Sequence, residues 1–231
     1  MLPVHKRHIA LEGLDGSGKS NVIEYLKDFH SYSHSGQFIF DRSPVDPSGR
    51  IRKLLSNEFN MSHDELQNEL LNAFMLDHLE HSRQIDEILT KNPDSFVISD
   101  RYIASTCAYQ SVYFGFEYIS NLIIKSEIAL PGLTIFLAAS PKICIERINH
   151  RGEKKEIYEK ENTLQKVFEN YAEFFDDYRF CQLITDIQNT DSMMTYDTDS
   201  SSETVMIAAD ESKSDVAYNV KNVIDTYIGL I

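Results

Sequence analysis

A glycine-rich segment near the start of the chain has the spacing of a phosphate-binding loop. Gly13, Gly18, Lys19 and Ser20 fit the pattern G-x-x-x-x-G-K-[ST] without exception. Glycines let the backbone wrap closely around phosphates, while the lysine reaches the β- and γ-phosphates and the serine hydroxyl coordinates Mg²⁺. We therefore expect a site for a nucleoside triphosphate and Mg²⁺. The loop residues expected to contact phosphates are Gly13, Gly16, Ser17, Gly18, Lys19 and Ser20.

Asp100 and Arg101 form a second pair that could do chemistry. They follow the apolar run 96–98, which is typical of a strand buried on both faces. An aspartate at a strand end beside a phosphate loop can hold Mg²⁺ or its waters, or orient the nucleophile. An adjacent arginine can neutralise charge on the acceptor or on the transferred phosphate. Lys19, Asp100 and Arg101 are therefore candidate catalytic residues, and Ser20 and Asp100 are candidate metal ligands.

The elements that must position these residues alternate between strands and helices. Apolar runs predict strands at 8–14, 37–41, 96–98, 134–138 and 204–208. Helical spacing predicts helices at 19–29, 51–55, 62–89, 119–130, 141–150, 164–178 and 216–227. This alternation predicts a three-layer α/β fold with a central parallel sheet flanked by helices. Both motifs then lie at the carboxyl edge of the sheet, where such folds bind ligands.

Size and charge restrict the class of protein. The 231 residues suit one α/β domain that needs no disulfide support. A net charge of −14 argues against a nucleic-acid partner, so a nucleotide site must be a local cluster of cations and N–H groups. No apolar run approaches the roughly 20 residues of a membrane span, and no signal-peptide pattern is present. We expect a cytoplasmic protein with reduced cysteines, no membrane association and a mobile acidic insertion at 186–203.

Several linked motifs together resemble the thymidylate kinase (dTMP kinase) family. Residues 12–20 resemble that family's phosphate loop, and 100–110 match its pattern D-R-Y-x-x-S-x-x-A-Y-Q. Residues 131–137 are similar to its P-x-L-T-x-x-L strand, and 146–159 to the helix and short lid that follow. The resemblance covers about residues 8–177 and resumes at 204–228. It implies the P-loop kinase fold, ATP and dTMP as substrates, dTDP as product, Mg²⁺ as cofactor and a homodimer.

The resemblance also implies roles around the acceptor nucleotide. Asp15 would contact the 3′-hydroxyl of the deoxyribose, and Tyr109 would occupy the space that a ribose 2′-hydroxyl needs. Arg42 and Arg101 would bind the acceptor phosphate. The residues implied near the base are Phe74, Ser105 and Gln110.

A short lid at about residues 150–160 is implied as well. Gly16, where other members carry arginine, resembles the bacterial subtype, which places its catalytic cation in the lid. Lid closure brings such a cation over the γ-phosphate only when both substrates are bound. The candidate lid cations are Arg151, Lys154 and Lys155, with Arg147 on the ATP side.

The base-reading segment departs from the family pattern. In the family an arginine follows the stacking aromatic by four residues and donates to the thymine carbonyl; here His78 follows Phe74 at that spacing. The spacing still places both side chains on one helical face, but imidazole is shorter and donates one bond. The acceptor loop R-E-P-G-G is also altered, to 42–47. These departures leave open a kinase for dUMP or a 5-modified dUMP, and a nucleotide-binding protein of the same fold without turnover.

Overall fold

The described strands of this protein form one parallel sheet. The computed structural model describes residues 2–32, 37–151, 157–180, 182–184 and 202–231. Within these ranges, six strands lie in the order β2-β3-β1-β4-β6-β5. The strands are β1 (Val4–Gly13), β2 (Gln37–Arg42), β3 (Ser95–Asp100), β4 (Leu130–Ala138), β5 (Gln182–Ile184) and β6 (Glu203–Ala208). The helices are α1 (Lys19–Tyr32), α2 (Arg50–Leu55), α3 (His63–Lys91), α4 (Ile103–Phe114), α5 (Phe116–Ser126), α6 (Pro141–Arg151), α7 (Glu161–Asp176) and α8 (Lys213–Ile228). The predicted α/β fold with a central parallel sheet is confirmed.

The strand register aligns the carboxyl ends of the three strands that carry the motifs. Strand β1 pairs with β3 so that Leu11 lies opposite Asp100, and β2 pairs with β3 so that Arg42 also lies opposite Asp100. The phosphate loop leaves β1 just beyond this level, at Gly13. Both sequence motifs and the acceptor loop therefore lie at one edge of the sheet.

Helices cover the sheet in two groups. Helices α1 and α8 pack against each other, while α4 packs against α3, α5 and α7. Strand β4 shows why the sheet needs cover on both faces, because its first eight residues are all buried. A capping box begins α3: the hydroxyl of Ser62 accepts from the Glu65 N–H, and the Glu65 carboxylate accepts from the Ser62 N–H. In the described ranges no helix has the length and apolarity to cross a membrane.

The prediction of one helix over 119–130 is wrong at its C-terminal end. Helix α5 ends at Ser126, and Pro131-Gly132 lie inside β4 rather than in a turn. Gly132 is needed there because a Cβ atom would lie 2.2 Å from the Tyr227 hydroxyl and 2.6 Å from the Lys6 carbonyl oxygen. Gly132 thus allows close packing at this position, and the Pro131-Gly132 pair does not interrupt the strand.

Helix α4 and strand β5 were not predicted. The first nine residues of α4, from Ile103 to Ser111, are all buried. The helix therefore lacks the exposed polar face whose helical spacing would have predicted it. Strand β5 has only three residues. The lid residues 152–156 and the segment 185–201 lie outside the described residues, and Glu203, predicted to end the insertion, belongs to β6.

Candidate active site

A cleft of about 900 Å³ opens at the carboxyl ends of β1, β2 and β3. Its walls come from the phosphate loop, the acceptor loop after β2, the end of β3, helix α6 and the start of α8. Most of the residues predicted from the sequence to contact phosphates meet here. The predicted site residues that line the cleft are Asp15, Gly16, Ser17, Gly18, Lys19, Ser20, Arg42, Asp100, Arg101, Arg147 and Arg151.

The backbone of the phosphate loop requires its glycines. Gly16 and Gly18 have φ values of 83° and 105°, which L-residues with side chains rarely adopt. A Cβ atom on Gly16 would also lie 2.6 Å from the Cys144 carbonyl oxygen of α6. The loop therefore curls tightly against α6, with Lys19 opening helix α1 directly behind it. Backbone N–H groups at such a helix start favour phosphate.

The Lys19 ammonium group lies inside the curl of the loop. Its Nζ donates to the carbonyl oxygens of Gly13 and Leu14, at 3.0 and 2.9 Å. Burial lowers the pKa of Lys19 to about 8, and the positive charge of Arg101 acts in the same direction. A phosphate bound in the loop would place negative charge beside this ammonium and favour its protonated form.

Arg101 joins the phosphate loop to helix α4. Its guanidinium donates to the Asp15 carboxylate at 2.6 Å, to the Gly13 carbonyl oxygen at 2.8 Å and to the Ser105 hydroxyl at 2.9 Å. The Tyr109 hydroxyl donates to the other Asp15 oxygen at 2.8 Å. Burial alone would raise the pKa of Asp15, but the charges of Arg101 and Lys19 outweigh it, so its pKa lies below the ordinary value. An ionised Asp15 and a cationic Arg101 thus share the cleft.

Two aspartates hold the acceptor loop, and the sequence reasoning missed both. The Asp77 carboxylate, from α3, accepts from the N–H groups of Val45 at 2.9 Å and Asp46 at 2.8 Å. The Asp46 carboxylate accepts in turn from the N–H groups of Ile51 and Arg52 at the start of α2. These bonds connect the acceptor loop to α2, whose Arg52 lines the cleft. Asp77 lies within the base-reading segment 74–78, which was the available signal.

Comparisons with known proteins agree with this geometry. Residues 11–194 match the sequence model of the family described as thymidylate kinase. The thymidylate kinase of Leptospira interrogans is 30% identical over 168 residues, covering 71% of this chain and 78% of that protein. A probable thymidylate kinase of Methanocaldococcus jannaschii is 32% identical over 189 residues, covering 79% and 88%.

The chain belongs to the thymidylate kinase family. A third relative, a probable thymidylate kinase of Methanococcoides burtonii, is 31% identical over 170 residues, which is 71% of this chain and 79% of that protein. The family resemblance inferred from the phosphate loop and from 100–110 is thereby confirmed. Thymidylate kinases are phosphotransferases, so the expectation of an enzyme is confirmed with it.

His78 is buried between helices α3 and α4. The side chain is 1% exposed, and its Nε2 lies 2.8 Å from the Thr106 hydroxyl. Its ring packs edge-on against Tyr102, and burial lowers its pKa to about 3. His78 is therefore a neutral core residue between α3 and α4 that does not line the cleft. The expectation that it takes the place of the family arginine at the base is not met in this structure.

Two other residues expected near the base, Phe74 and Gln110, do not line the cleft. Phe74 is half-buried and packs against Leu54, Leu66 and Leu70, without lining the cleft. Gln110 is fully buried, and its Nε2 donates to the Tyr158 hydroxyl at 2.9 Å. Within the described residues its Oε1 has no hydrogen-bond partner. Gln110 thus keeps one acceptor oxygen for a further donor.

Asp100 at the end of β3 and Ser20 at the start of α1 suit Mg²⁺. Asp100 and Ser20 both line the cleft, and in the described part of the chain Oδ1 of Asp100 is buried without a hydrogen-bond partner. A carboxylate and a hydroxyl are oxygen donors of the kind that Mg²⁺ prefers, with phosphate oxygens and waters completing its shell. No group of three acidic, histidine or cysteine side chains in the described ranges could hold a metal ion. The donor set therefore fits an ion held jointly with a nucleotide.

Part of the lid at about residues 150–160 lies within the described residues. Arg151 ends α6 and forms an ion pair with Glu159 at 3.1 Å. Arg147, one turn earlier, donates to the carbonyl oxygens of Gly16, Ser17 and Ala209, which ties α6 to the loop. Lys154 and Lys155 lie outside the described residues.

Proposed function

We propose that this protein transfers the γ-phosphoryl group of ATP to dTMP, giving dTDP and ADP. The observation that carries the proposal is the meeting of two cation clusters in one cleft: Lys19 and Arg147 at the phosphate loop, and Arg42, Arg52 and Arg101 at the acceptor side. The second cluster fits a second anionic substrate. Membership of the thymidylate kinase family supports dTMP as that substrate.

The reaction follows from positioning and charge neutralisation. A phosphate oxygen of dTMP attacks the γ-phosphorus of ATP in line, a new P–O bond forms, and the bond to the β–γ bridging oxygen breaks. Lys19 stabilises charge on the transferred group, while Arg101 and Arg42 hold the acceptor phosphate. Ser20 and Asp100 would hold Mg²⁺, which would supply positive charge to the reacting phosphates. No general base is needed, because the acceptor phosphate is already ionised.

The sugar and lid assignments belong to the same proposal. Asp15 accepts from the 3′-hydroxyl of dTMP, and Tyr109, 2.8 Å from Asp15, excludes a 2′-hydroxyl. Ser105 and Gln110 lie on the base side, and Phe74 stacks on the thymine. Arg151, Lys154 and Lys155 supply lid cations over the γ-phosphate, with Arg147 on the ATP side.

A monophosphate panel tests this function. ADP formation would be followed with ATP, Mg²⁺ and dTMP, dUMP, 5-modified dUMP, dCMP or UMP as acceptor. We expect dTMP to give the highest kcat/KM and chelation of Mg²⁺ by EDTA to abolish turnover. A higher kcat/KM for dUMP or its 5-modified forms would reassign the acceptor. ADP formation with none of them, despite tight ATP binding, would favour a nucleotide-binding protein without turnover.

We further propose a homodimer that uses helix α3. Leu76 and Leu79 lie one turn apart on α3, with 68% and 45% of their surface exposed. Two exposed leucines on one helical face favour association. Light scattering should give twice the chain mass for the native protein and the chain mass for Leu76→Glu/Leu79→Glu. A native monomer would refute the dimer.

A cytoplasmic location is likewise a proposal. The thiols of Cys107 and Cys144 are buried and unbridged, as is usual in a reducing compartment. Cell fractionation with a marker for each compartment tests it.

A further inference from the structure

Helix α4 begins without a capping side chain of its own. Its N-cap residue, Tyr102, makes no side-chain hydrogen bond to the helix, and it is 1% exposed, so water does not replace the cap. The first N–H groups of a helix need acceptors, and a buried helix start without them is costly. The acceptors must come from another part of the chain.

Glu12 supplies them from strand β1. Its Oε1 accepts from the Tyr102 N–H at 2.8 Å and the Ser105 N–H at 3.2 Å. These are the N-cap and N3 positions, the two N–H groups that a capping box normally satisfies with two side chains. One carboxylate, about 90 residues away along the chain, serves both.

The second oxygen of Glu12 reaches the partners of Arg101. Its Oε2 accepts from the Ser105 hydroxyl at 2.5 Å and from the Tyr171 hydroxyl at 2.9 Å. The same Ser105 hydroxyl accepts from the Arg101 guanidinium at 2.9 Å. Both oxygens of Glu12 thus make two bonds each, and its side chain is fully buried. It has no acceptor left for a substrate proton, so it is not a catalytic base.

The backbone of Arg101 explains why such anchoring is needed. Arg101 has a φ of 69°, in the left-handed region that a residue with a long side chain rarely adopts. Its N–H donates to the Leu11 carbonyl oxygen at 2.9 Å, and the next residue, Tyr102, is held by Glu12. Strained conformations at functional sites persist when the surrounding structure over-determines them. The backbone on both sides of Arg101 is tied to β1.

We propose that Glu12 is a positioning residue: from the strand that leads into the phosphate loop, it fixes helix α4 and Arg101 at the distance phosphoryl transfer requires. This inference rests on the proposed function, in which Arg101 holds the acceptor phosphate. Because Glu12 directly precedes Gly13, one side chain sets the acceptor arginine relative to the donor loop. Burial raises the pKa of Glu12, while the positive charge of Arg101 acts in the opposite direction.

The experiment compares Glu12→Ala and Glu12→Gln with Glu203→Gln, which alters a buried carboxylate on β6 away from the cleft. Calorimetry would measure binding of dTMP and of ATP separately, and steady-state kinetics would give kcat and KM for each. We expect Glu12→Ala to lower kcat/KM for dTMP by about a hundredfold, since small displacements of positioning groups cost this much. ATP affinity should change by less than about threefold, and Glu203→Gln should match wild type.

Glu12→Gln gives the readout that a purely structural role would not. Its amide oxygen still accepts from Tyr102 and Ser105, so we expect it to recover about tenfold of the loss in kcat/KM for dTMP. Equal defects in Glu12→Gln and Glu12→Ala, or a parallel loss of ATP affinity, would overturn the proposal. If Glu12→Ala fails to fold, Tyr171→Phe removes one bond to Oε2 and should raise KM for dTMP; an unchanged KM would count against the role.

The failure of the proposed function is recognised separately. A wild-type protein that neither binds nor phosphorylates dTMP would refute that function, whatever the Glu12 variants do. A wild-type protein active on dTMP, with Glu12→Ala equally active and folded, would refute only the role of Glu12.

Discussion

The Nε2 atom of His78 and the hydroxyl of Thr106 lie 2.8 Å apart, which joins the middle of α3 to the first turn of α4. Tyr102 lies edge-on to His78 and also to His8 and His81, so three imidazoles surround one buried phenol ring. All three histidines are at most 1% exposed. The position that was expected to read the base therefore belongs to a buried polar cluster that packs two helices against the sheet.

We predict that His78→Arg destabilises the protein and leaves base preference unchanged. A longer, charged side chain must fit a fully enclosed site, and overpacking a core costs about 1–3 kcal/mol. Chemical denaturation would measure the free energy of unfolding, with the exposed His63→Arg as control. The ratio of kcat/KM for dTMP over dUMP should stay within about twofold of wild type. A tenfold change in that ratio would show that His78 contributes to base recognition.

The same cluster predicts an acid-dependent loss of stability. Burial lowers the pKa of His8 and of His78 to about 3, below the value of 6.5 that an exposed histidine has. Between these values the unfolded chain binds protons that the folded chain does not, so the free energy of unfolding falls as pH falls from 6.5 towards 3.

The slope of that loss can be measured. Each histidine contributes up to about 1.4 kcal/mol per pH unit. Denaturation at pH 5, 6 and 7 should therefore show a shallower slope for His78→Asn than for the native chain. His63→Asn is the matched control for the loss of an exposed histidine. Equal slopes for His78→Asn and wild type would mean that His78 is not held neutral in the fold.

Lys19→Ala should lower kcat about 10²- to 10³-fold, because it removes a preorganised cation from the transferred phosphate. The protein should remain folded, since within the described residues the ammonium group bonds to oxygens of the loop itself. Steady-state ADP formation measures the effect. Lys91→Ala, at a side chain that is 74% exposed, is the control. An unchanged kcat would show that Lys19 does not contribute to phosphoryl transfer.

Asp77→Ala should weaken acceptor binding while sparing ATP. It leaves the N–H groups of Val45 and Asp46 without their acceptor, and each such loss costs about 1–3 kcal/mol when the group is buried. The acceptor loop then loosens, and we expect KM for dTMP to rise about tenfold. Asp86→Ala, an exposed change on the same helix, should have no effect. Equal rises in KM for ATP and dTMP would argue against a local role.

The parts of the site that the sequence predicted lie close together along the chain. Gly13 to Ser20 form one loop, and Asp100-Arg101 end a recognisable strand, so local pattern was sufficient for both. Glu12 and Asp77 were missed because their partners lie about 90 and 30 residues away, and hydrogen bonds of that span leave no local pattern. For His78 the helical spacing to Phe74 was correct, but spacing does not reveal which neighbouring helix a face meets.

Strand β1 precedes the other five described strands in the chain, yet it lies in the interior of the sheet, between β3 and β4. During synthesis the phosphate loop therefore emerges long before its strand has either neighbour, and the second neighbour is complete only at Ala138. The cleft also draws on Val216, near the other end of the fold. The cleft is therefore complete only when the phosphate loop and Val216 have come together, and a nucleotide that binds there stabilises the folded chain by mass action.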